Sequence, residues 1–245
     1  MPQPQISVQL WSLREDTQID FAATVKAVAA MGYQGVETAG WGNLDANAGA
    51  AAIHDVGLKV SGMHVGIAAL RSDFNRVVDE ALLCGAPHVI CPFWPKAHYH
   101  TAAACRQIGA DLNEIGSRLR QLGLHFHFHN HDGEIALVEG RRVFDWMLDA
   151  AAPENLGCEA DVYWLKVGGK DPATFIREQG RRIRLLHLKD EKEIGTGPVD
   201  FASVFAAADT VGAVEWYVVE VEQYNHPPLE SVRRSLQQLR DWGQA

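Results

Sequence analysis

The segment Leu124-His125-Phe126-His127-Phe128-His129-Asn130-His131 carries a histidine at every second position. In a β-strand that spacing puts the four imidazoles on one face and Phe126 and Phe128 on the other. Imidazoles bind divalent ions and move protons near neutral pH. Later β-like runs end in groups of the same kind: Asp161, then His187 with Lys189, then Glu220 with Glu222. Gln9, Glu37 and His64 hold corresponding places in the first three runs. Brought together, these carboxylates and imidazoles make a mixed oxygen and nitrogen site for a divalent metal ion. Without a cation, several buried carboxylates raise one another's pKa and cost stability.

Gathering groups so far apart in sequence takes a repeated architecture. Eight β-like runs are present: Ile6–Ser12, Gly35–Thr38, Leu58–His64, His88–Pro92, Leu124–His129, Leu156–Val162, Ile183–Leu188 and Trp216–Glu222. Helical stretches alternate with them, at Phe21–Met31, Asn47–Val56, Asp73–Cys84, Ala102–Gln121, Arg142–Ala150, Pro172–Gln179, Phe201–Val211 and Leu229–Trp242. Asp20, Asp171 and Asp200 precede three of them as carboxylate caps. Gly32, Gly57, Gly85, Gly123 and Gly212 stand where helices close ahead of the next strand. The unit repeats about every 31 residues, the period of a β/α barrel. The expected fold is therefore α/β, a (β/α)8 TIM barrel forming a single domain over residues 1–245. An open doubly wound sheet is the competitor, but neither G-x-G-x-x-G after the first strand nor G-x-x-x-x-G-K-[ST] occurs.

In such a barrel the carboxyl ends of the strands converge on one face, where catalysis takes place. His125 and His127 then lie deep, as hydrogen-bonded core residues. His129 and His131 lie near the mouth, with Glu134 folding back over it after Asp132-Gly133. Trp94, Tyr99 and Trp164 fall in mouth loops. Lys189 reads as a solvated loop residue or as a group that steadies developing negative charge.

Composition narrows the function classes. The chain has 245 residues, 47% of them hydrophobic and 22% charged, with a formal net charge of −9. That is enough for a full core, and the negative balance weighs against nucleic acid, whose affinity rests on Lys and Arg. The cysteines, Cys84, Cys91, Cys105 and Cys158, form no C-x-x-C pair and read as reduced thiols. No secretory leader or membrane-length apolar run is found, so a soluble, cytoplasmic protein is expected.

At these residues the sequence resembles the xylose isomerase-like barrel family of sugar phosphate isomerases and epimerases. That group also includes inosose dehydratases, keto-sugar lyases and type IV apurinic endonucleases. The resemblance covers essentially the whole chain. It runs from Val8-Gln9-Leu10-Trp11-Ser12-Leu13-Arg14 through Gly35-Val36-Glu37, Ser61-Gly62-Met63-His64 and His129-Asn130-His131-Asp132-Gly133-Glu134. It continues in Asp161, His187-Leu188-Lys189-Asp190 and Val218-Val219-Glu220, then Pro228-Leu229-Glu230-Ser231-Val232.

The resemblance implies one divalent ion held by Glu, Asp, His and Glu from strands five to eight. Asp161, His187 and Glu220 fill the last three places. Strand five has His129 where many epimerases present a glutamate, and Glu134 follows five residues on. Glu134 is taken as the fourth ligand, because a third carboxylate suits Mn²⁺ or Mg²⁺. His129 is the alternative, and Glu222 the fallback for Glu220. Mn²⁺ is the expected ion, ahead of Mg²⁺, Co²⁺ and Zn²⁺.

The implied chemistry is proton abstraction beside the carbonyl of a sugar or keto-sugar, through an enediolate. Glu134 or Glu220 removes the proton; His131 or Lys189 returns one or assists loss of a β-substituent. Glu37, His64, His129, His131 and Glu222 are the residues expected to contact the substrate. Isomerisation or epimerisation is the leading reading, and dehydration or lyase chemistry the alternative that shares its first step. An endonuclease would need more histidines for a trinuclear zinc cluster and a basic rim, against which the charge argues; a non-catalytic sugar-binding barrel is the remaining rival. The expected partner is a small-molecule sugar, not nucleic acid or a membrane, with a homo-oligomer left open. Gly195-Thr196-Gly197 reads as a flexible turn that could also offer N–H groups to a phosphate, so free sugar and sugar phosphate both remain in play.

Overall fold

The computed structural model describes residues 3–245. Eight parallel strands close into a ring: β1 (Gln5–Gln9), β2 (Gly35–Thr38), β3 (Lys59–His64), β4 (His88–Cys91), β5 (His125–His129), β6 (Gly157–Asp161), β7 (Ile183–Leu188) and β8 (Trp216–Val219). Each pairs with its sequence neighbours, and β1 closes on β8. A two-residue antiparallel hairpin, Leu137–Val138 with Arg141–Arg142, lies outside the ring. No described helix is long and apolar enough to cross a membrane.

The helices form where spacing and caps dictate. The helix Ala102–Gln121 buries Cys105, Ile108, Leu112, Ile115 and Leu119 at intervals of three and four, the stripe that faces a core. Thr101 caps it, accepting from Ala104 N at 3.1 Å. Gly116 lets this helix press on the chain ahead of β6: a Cβ there would stand 1.7 Å from Asn155 O. The five glycines expected to close helices all have positive φ. Phe126 and Phe128 are buried on the helix side of β5, Phe128 packing on Phe144 with ring centroids 5.8 Å apart.

The first and last strands stop earlier than expected, because side chains near their ends capture the backbone. After Gln9 the chain turns into a 3-10 helix, Leu10–Leu13, with Gln9 Oε1 accepting from Trp11 N at 3.0 Å. After Val219, Val221 N donates to Ser12 Oγ at 2.9 Å instead of to a strand neighbour. The first helix starts at Arg14 rather than Phe21. Asp20 breaks it with non-helical φ and ψ while capping the continuation through Ala23 N at 2.9 Å. Two short helices, Ile67–Ser72 and Val162–Val167, escaped the hydrophobic pattern. The second begins where Asp161 accepts from Trp164 N at 2.8 Å.

Strand register sets the level of the polar groups. His129 stands opposite Glu159 on β6, Asp161 opposite His187 on β7, and His187 opposite Val218 on β8. A register shift between Cys158 and Glu159 lets β6 bring both its acids to the level of the flanking histidines.

Candidate active site

At the carboxyl end of the ring, one ligand atom from each of His129, Asp161, His187 and Glu220 lies within 4.8 Å of the others, and all four residues are buried. His129 Nε2 faces Asp161 Oδ2 at 4.0 Å, and His187 Nδ1 faces Glu220 Oε2 at 3.4 Å. Asp161 Oδ1 is used in capping, but Oδ2 has no hydrogen-bond partner. Burial pushes the Asp161 carboxyl up to about 7, against the pull of Lys189 and with the push of Glu220. An unpaired buried carboxylate oxygen among two imidazoles and a second carboxylate is the donor set of a divalent-ion site.

A second group, His64, His129, Glu159 and His187, meets the same distance limit one layer deeper. Its bonds settle how the two layers divide the shared histidines. His129 Nδ1 donates to Glu159 Oε2 at 3.0 Å, and His187 Nε2 donates to Glu37 Oε1 at 2.7 Å. Each inner carboxylate thus holds one ring nitrogen and turns the other toward Asp161 and Glu220, the arrangement by which carboxylates orient metal-ligating histidines. His64 Nε2 bridges both, 3.0 Å from Glu37 Oε1 and 2.8 Å from Glu159 Oε2. Burial opposes charge on His64, but these two acids outweigh it and raise its pKa to about 9. Gln9 Nε2 adds a bond to Glu37 Oε1 at 2.7 Å. Gly62 makes room: a Cβ there would come within 2.8 Å of Glu37 Oε2.

Lys189 is buried, not solvated, and donates to Glu220 Oε2 at 3.0 Å and to Glu222 Oε2 at 2.5 Å. Its ammonium lies 5.0 Å from the Trp164 ring centroid. Burial and the Lys189 charge hold His131 down at about 4, so its ring is neutral at physiological pH. Glu134 stands outside both four-residue groups. Its carboxylate accepts from Tyr99 Oη and from His131 N, closing the 3-10 turn Asp132–Ile135. Burial raises its pKa, with the Tyr99 bond acting against that.

Above these groups a cavity of about 540 Å³ opens, lined by Trp11, His64, Phe93, Trp94, His129, His131, Glu134, Glu220 and Glu222 among others. The volume suits a small organic molecule.

A family model for the xylose isomerase-like TIM barrel matches residues 25–242, which hold seven of the eight strands of the ring. The chain belongs to the xylose isomerase-like TIM barrel family. Over 98% of its length it superposes on 94% of a sugar phosphate isomerase/epimerase from Parabacteroides distasonis, with a TM-score of 0.88 and 21% identity. A D-allulose 3-epimerase from a Methylomonas species, solved with D-allulose, superposes over 98% of both chains with a TM-score of 0.75 and 14% identity. At these identities the likeness is one of fold. Among curated sequences, an inosose dehydratase of Lacticaseibacillus casei is 22% identical over 195 residues, 70% of this chain. The chain spans about 60% of the length of that relative.

Within this family frame, the structure gathers Glu37, His64, His129, Asp161, His187, Lys189, Glu220 and Glu222 around one end of the ring, with His131 and Glu134 on the cavity wall. Glu159 was missed by the sequence reading, although it lies two residues before Asp161 and so shares its face. His125 is a correction. It is exposed at the amino end of β5 rather than deep in the barrel, because the strand begins there.

Proposed function

We propose that this chain is a divalent-metal-dependent enzyme that abstracts a proton beside the carbonyl of a sugar or keto-sugar, leading to isomerisation or epimerisation. The observation that carries the reading is the convergence of His129 Nε2, Asp161 Oδ2, His187 Nδ1 and Glu220 Oε2 from four successive strands, with the Asp161 oxygen unpaired. These four are the proposed ligands, His129 standing where the sequence reading placed Glu134. Two imidazoles and two carboxylates accommodate Mn²⁺, Co²⁺ or Zn²⁺. The bound ion would polarise the substrate carbonyl and acidify the neighbouring C–H.

The remaining roles belong to the chain's own side chains. Glu134, raised by burial and fixed by Tyr99 and His131 N, is the proposed proton acceptor, because its carboxylate lines the cavity without belonging to the ligand set. Lys189 holds Glu220 and Glu222 in place and offers a positive charge to a developing oxyanion. The proton taken up by Glu134 is returned from its carboxyl, and neutral His131, on the cavity wall, is placed to hydrogen-bond a substrate hydroxyl. Glu37, His64 and Glu159 steady the two histidine ligands.

A second reading, loss of water from a keto-sugar, is supported by the inosose dehydratases among the curated relatives. It uses the same first step, with the Lys189 ammonium assisting departure of a β-hydroxyl as water. The test is solvent deuterium uptake into a keto-sugar panel, with Mn²⁺ added and product analysis for epimer or dehydration product. Uptake that disappears in Glu134→Gln, whose metal content is unchanged, is the expected result. Undiminished uptake in that variant removes Glu134 as the base. Uptake by metal-free protein removes the metal from the mechanism.

A further inference from the structure

We infer that the cavity selects an unphosphorylated sugar, laid against an aromatic wall, and rejects the phosphate esters of the same sugars. The inference rests on the sugar chemistry proposed above and adds the substrate class. Three separate observations carry it.

The first is the loop after β7, the place where barrels of this type bind phosphate. Its backbone N–H groups are already taken. Gly195 N and Gly197 N donate to Asp190 Oδ2 at 3.2 and 2.9 Å, and Glu191 N donates to Asp190 Oδ1 at 3.0 Å. Asp190 is 1% exposed, and a Cβ on Gly197 would stand 2.2 Å from its Oδ1. The turn that the sequence offered as an anion cradle is therefore wrapped around the chain's own carboxylate.

The second is charge. Among the described residues lining the cavity, Lys96 is the sole lysine or arginine, and it pairs with Asp132 at 2.7 Å. Lys189, beneath the floor, is shared by Glu220 and Glu222. Two arginines that pack on its aromatic residues are themselves engaged. Arg14 packs 5.2 Å from the Trp11 ring centroid and bonds Trp11 O and Tyr224 Oη; Arg71 lies 4.7 Å from the Trp94 centroid and pairs with Asp111. Glu134, Glu220 and Glu222 line the cavity itself. A phosphate dianion entering it meets Glu134 and Glu222, while the charge on His64 is matched by Glu37 and Glu159 and that of a bound ion would be matched by Asp161 and Glu220.

The third is the wall. Trp11 is 46% exposed and Phe93 52%, and with Pro92, Trp94 and Pro95 they line the cavity. Large aromatic faces left open to water in a site are matched by the C–H face of a sugar ring, which an uncharged sugar presents without desolvating a phosphate. Trp11 is then a specificity-determining residue.

The test titrates protein incubated with Mn²⁺ against D-fructose, D-allulose, the 6-phosphates of both, and inorganic phosphate. Tryptophan fluorescence reads binding, and deuterium uptake is followed in the same samples. At least one free sugar is expected to bind about tenfold more tightly than its ester, the scale set by adding charge beside carboxylates. Inorganic phosphate should give no response, and Trp11→Ala should weaken free-sugar binding with metal content unaltered. An ester that binds more tightly than its parent sugar and takes up deuterium overturns this inference while leaving the sugar chemistry standing. Submillimolar binding of inorganic phosphate also overturns it. Neither binding nor uptake with any sugar, free or esterified, removes the sugar reading and this inference together.

Discussion

The barrel holds a histidine cluster at each end of β5, and the two differ in how their polar atoms are satisfied. At the amino end, His88 Nδ1 meets His127 Nε2 at 2.9 Å, His88 Nε2 meets Glu215 Oε2 at 3.1 Å, and His125 stacks on His88 with centroids 5.3 Å apart. One acid serves three imidazoles, and its side chain is partly in water. At the carboxyl end, His64, His129 and His187 share the barrel with Glu37, Glu159, Asp161 and Glu220. Three carboxylate oxygens, Glu37 Oε2, Glu159 Oε1 and Asp161 Oδ2, are buried without a partner. At the amino end the buried atom without a partner is a ring nitrogen, His127 Nδ1; unpaired carboxylate oxygens in excess call for a cation, and a single imidazole nitrogen does not. On the proposed function, the same residue types on one strand serve folding at one end and chemistry at the other, as barrel topology allows.

That contrast breaks most visibly if Asp161 is changed. Asp161→Asn keeps an oxygen to cap Trp164 N but removes the charged ligand, so divalent-metal affinity should fall by at least about a hundredfold, beyond the range of an outer-layer change. Calorimetric titration reads this directly, and retained affinity would make the two ends alike. Glu159→Gln leaves the ligands in place but weakens the hold on His129 Nδ1, and should cost about 10–100-fold in metal affinity. Affinity equal to that of wild type would show that the inner carboxylate only fills space.

The opposite cluster sharpens the contrast through stability. His88→Ala strands His127 Nε2 and should lower unfolding free energy by about 1–3 kcal/mol, with metal titration unchanged. Urea denaturation and calorimetry on one preparation separate the two effects. The smallest expected effect is a pH slope. Burial, helped by His88, holds His127 well below its ordinary 6.5, and partial burial of the ring, with the charges of Arg184 and His88, lowers His125. Groups that are neutral in the fold and protonate when unfolded contribute stability above pH about 6.5, which is lost as pH falls below it. The stability of wild type relative to His127→Gln should therefore shrink between about pH 7 and 5. A difference that stays constant over that range would assign His127 a purely packing role.

Much of this was legible in the sequence because it depends on short periods. Alternation of apolar residues and the glycines after helices fixed eight strands and their order, and strand-end position singled out Asp161, His187 and Glu220. Lys189 was harder. Its burial follows from Glu220 and Glu222 on a neighbouring strand, a contact across more than thirty residues that no local pattern records. Glu134 illustrates a competing local signal: its three-residue spacing from His131 is that of a capping box, and the carboxylate bonds back to the His131 N–H. Glu159 was available from the two-residue period alone. Strand-end position marks Asp161 alone, whereas Glu159 lies two residues deeper on the same face. The Gly195-Thr196-Gly197 turn could be read either way, since nothing local shows that Asp190 fills it.

The central claim is that the carboxyl-end quartet holds one divalent ion. Equilibrium dialysis of the wild-type protein against Mn²⁺, followed by elemental analysis alongside Asp161→Asn, tests it most directly. The account predicts one ion per wild-type chain and none retained by the variant. Wild-type protein that emerges without metal, or a variant that keeps an equal share, would contradict it.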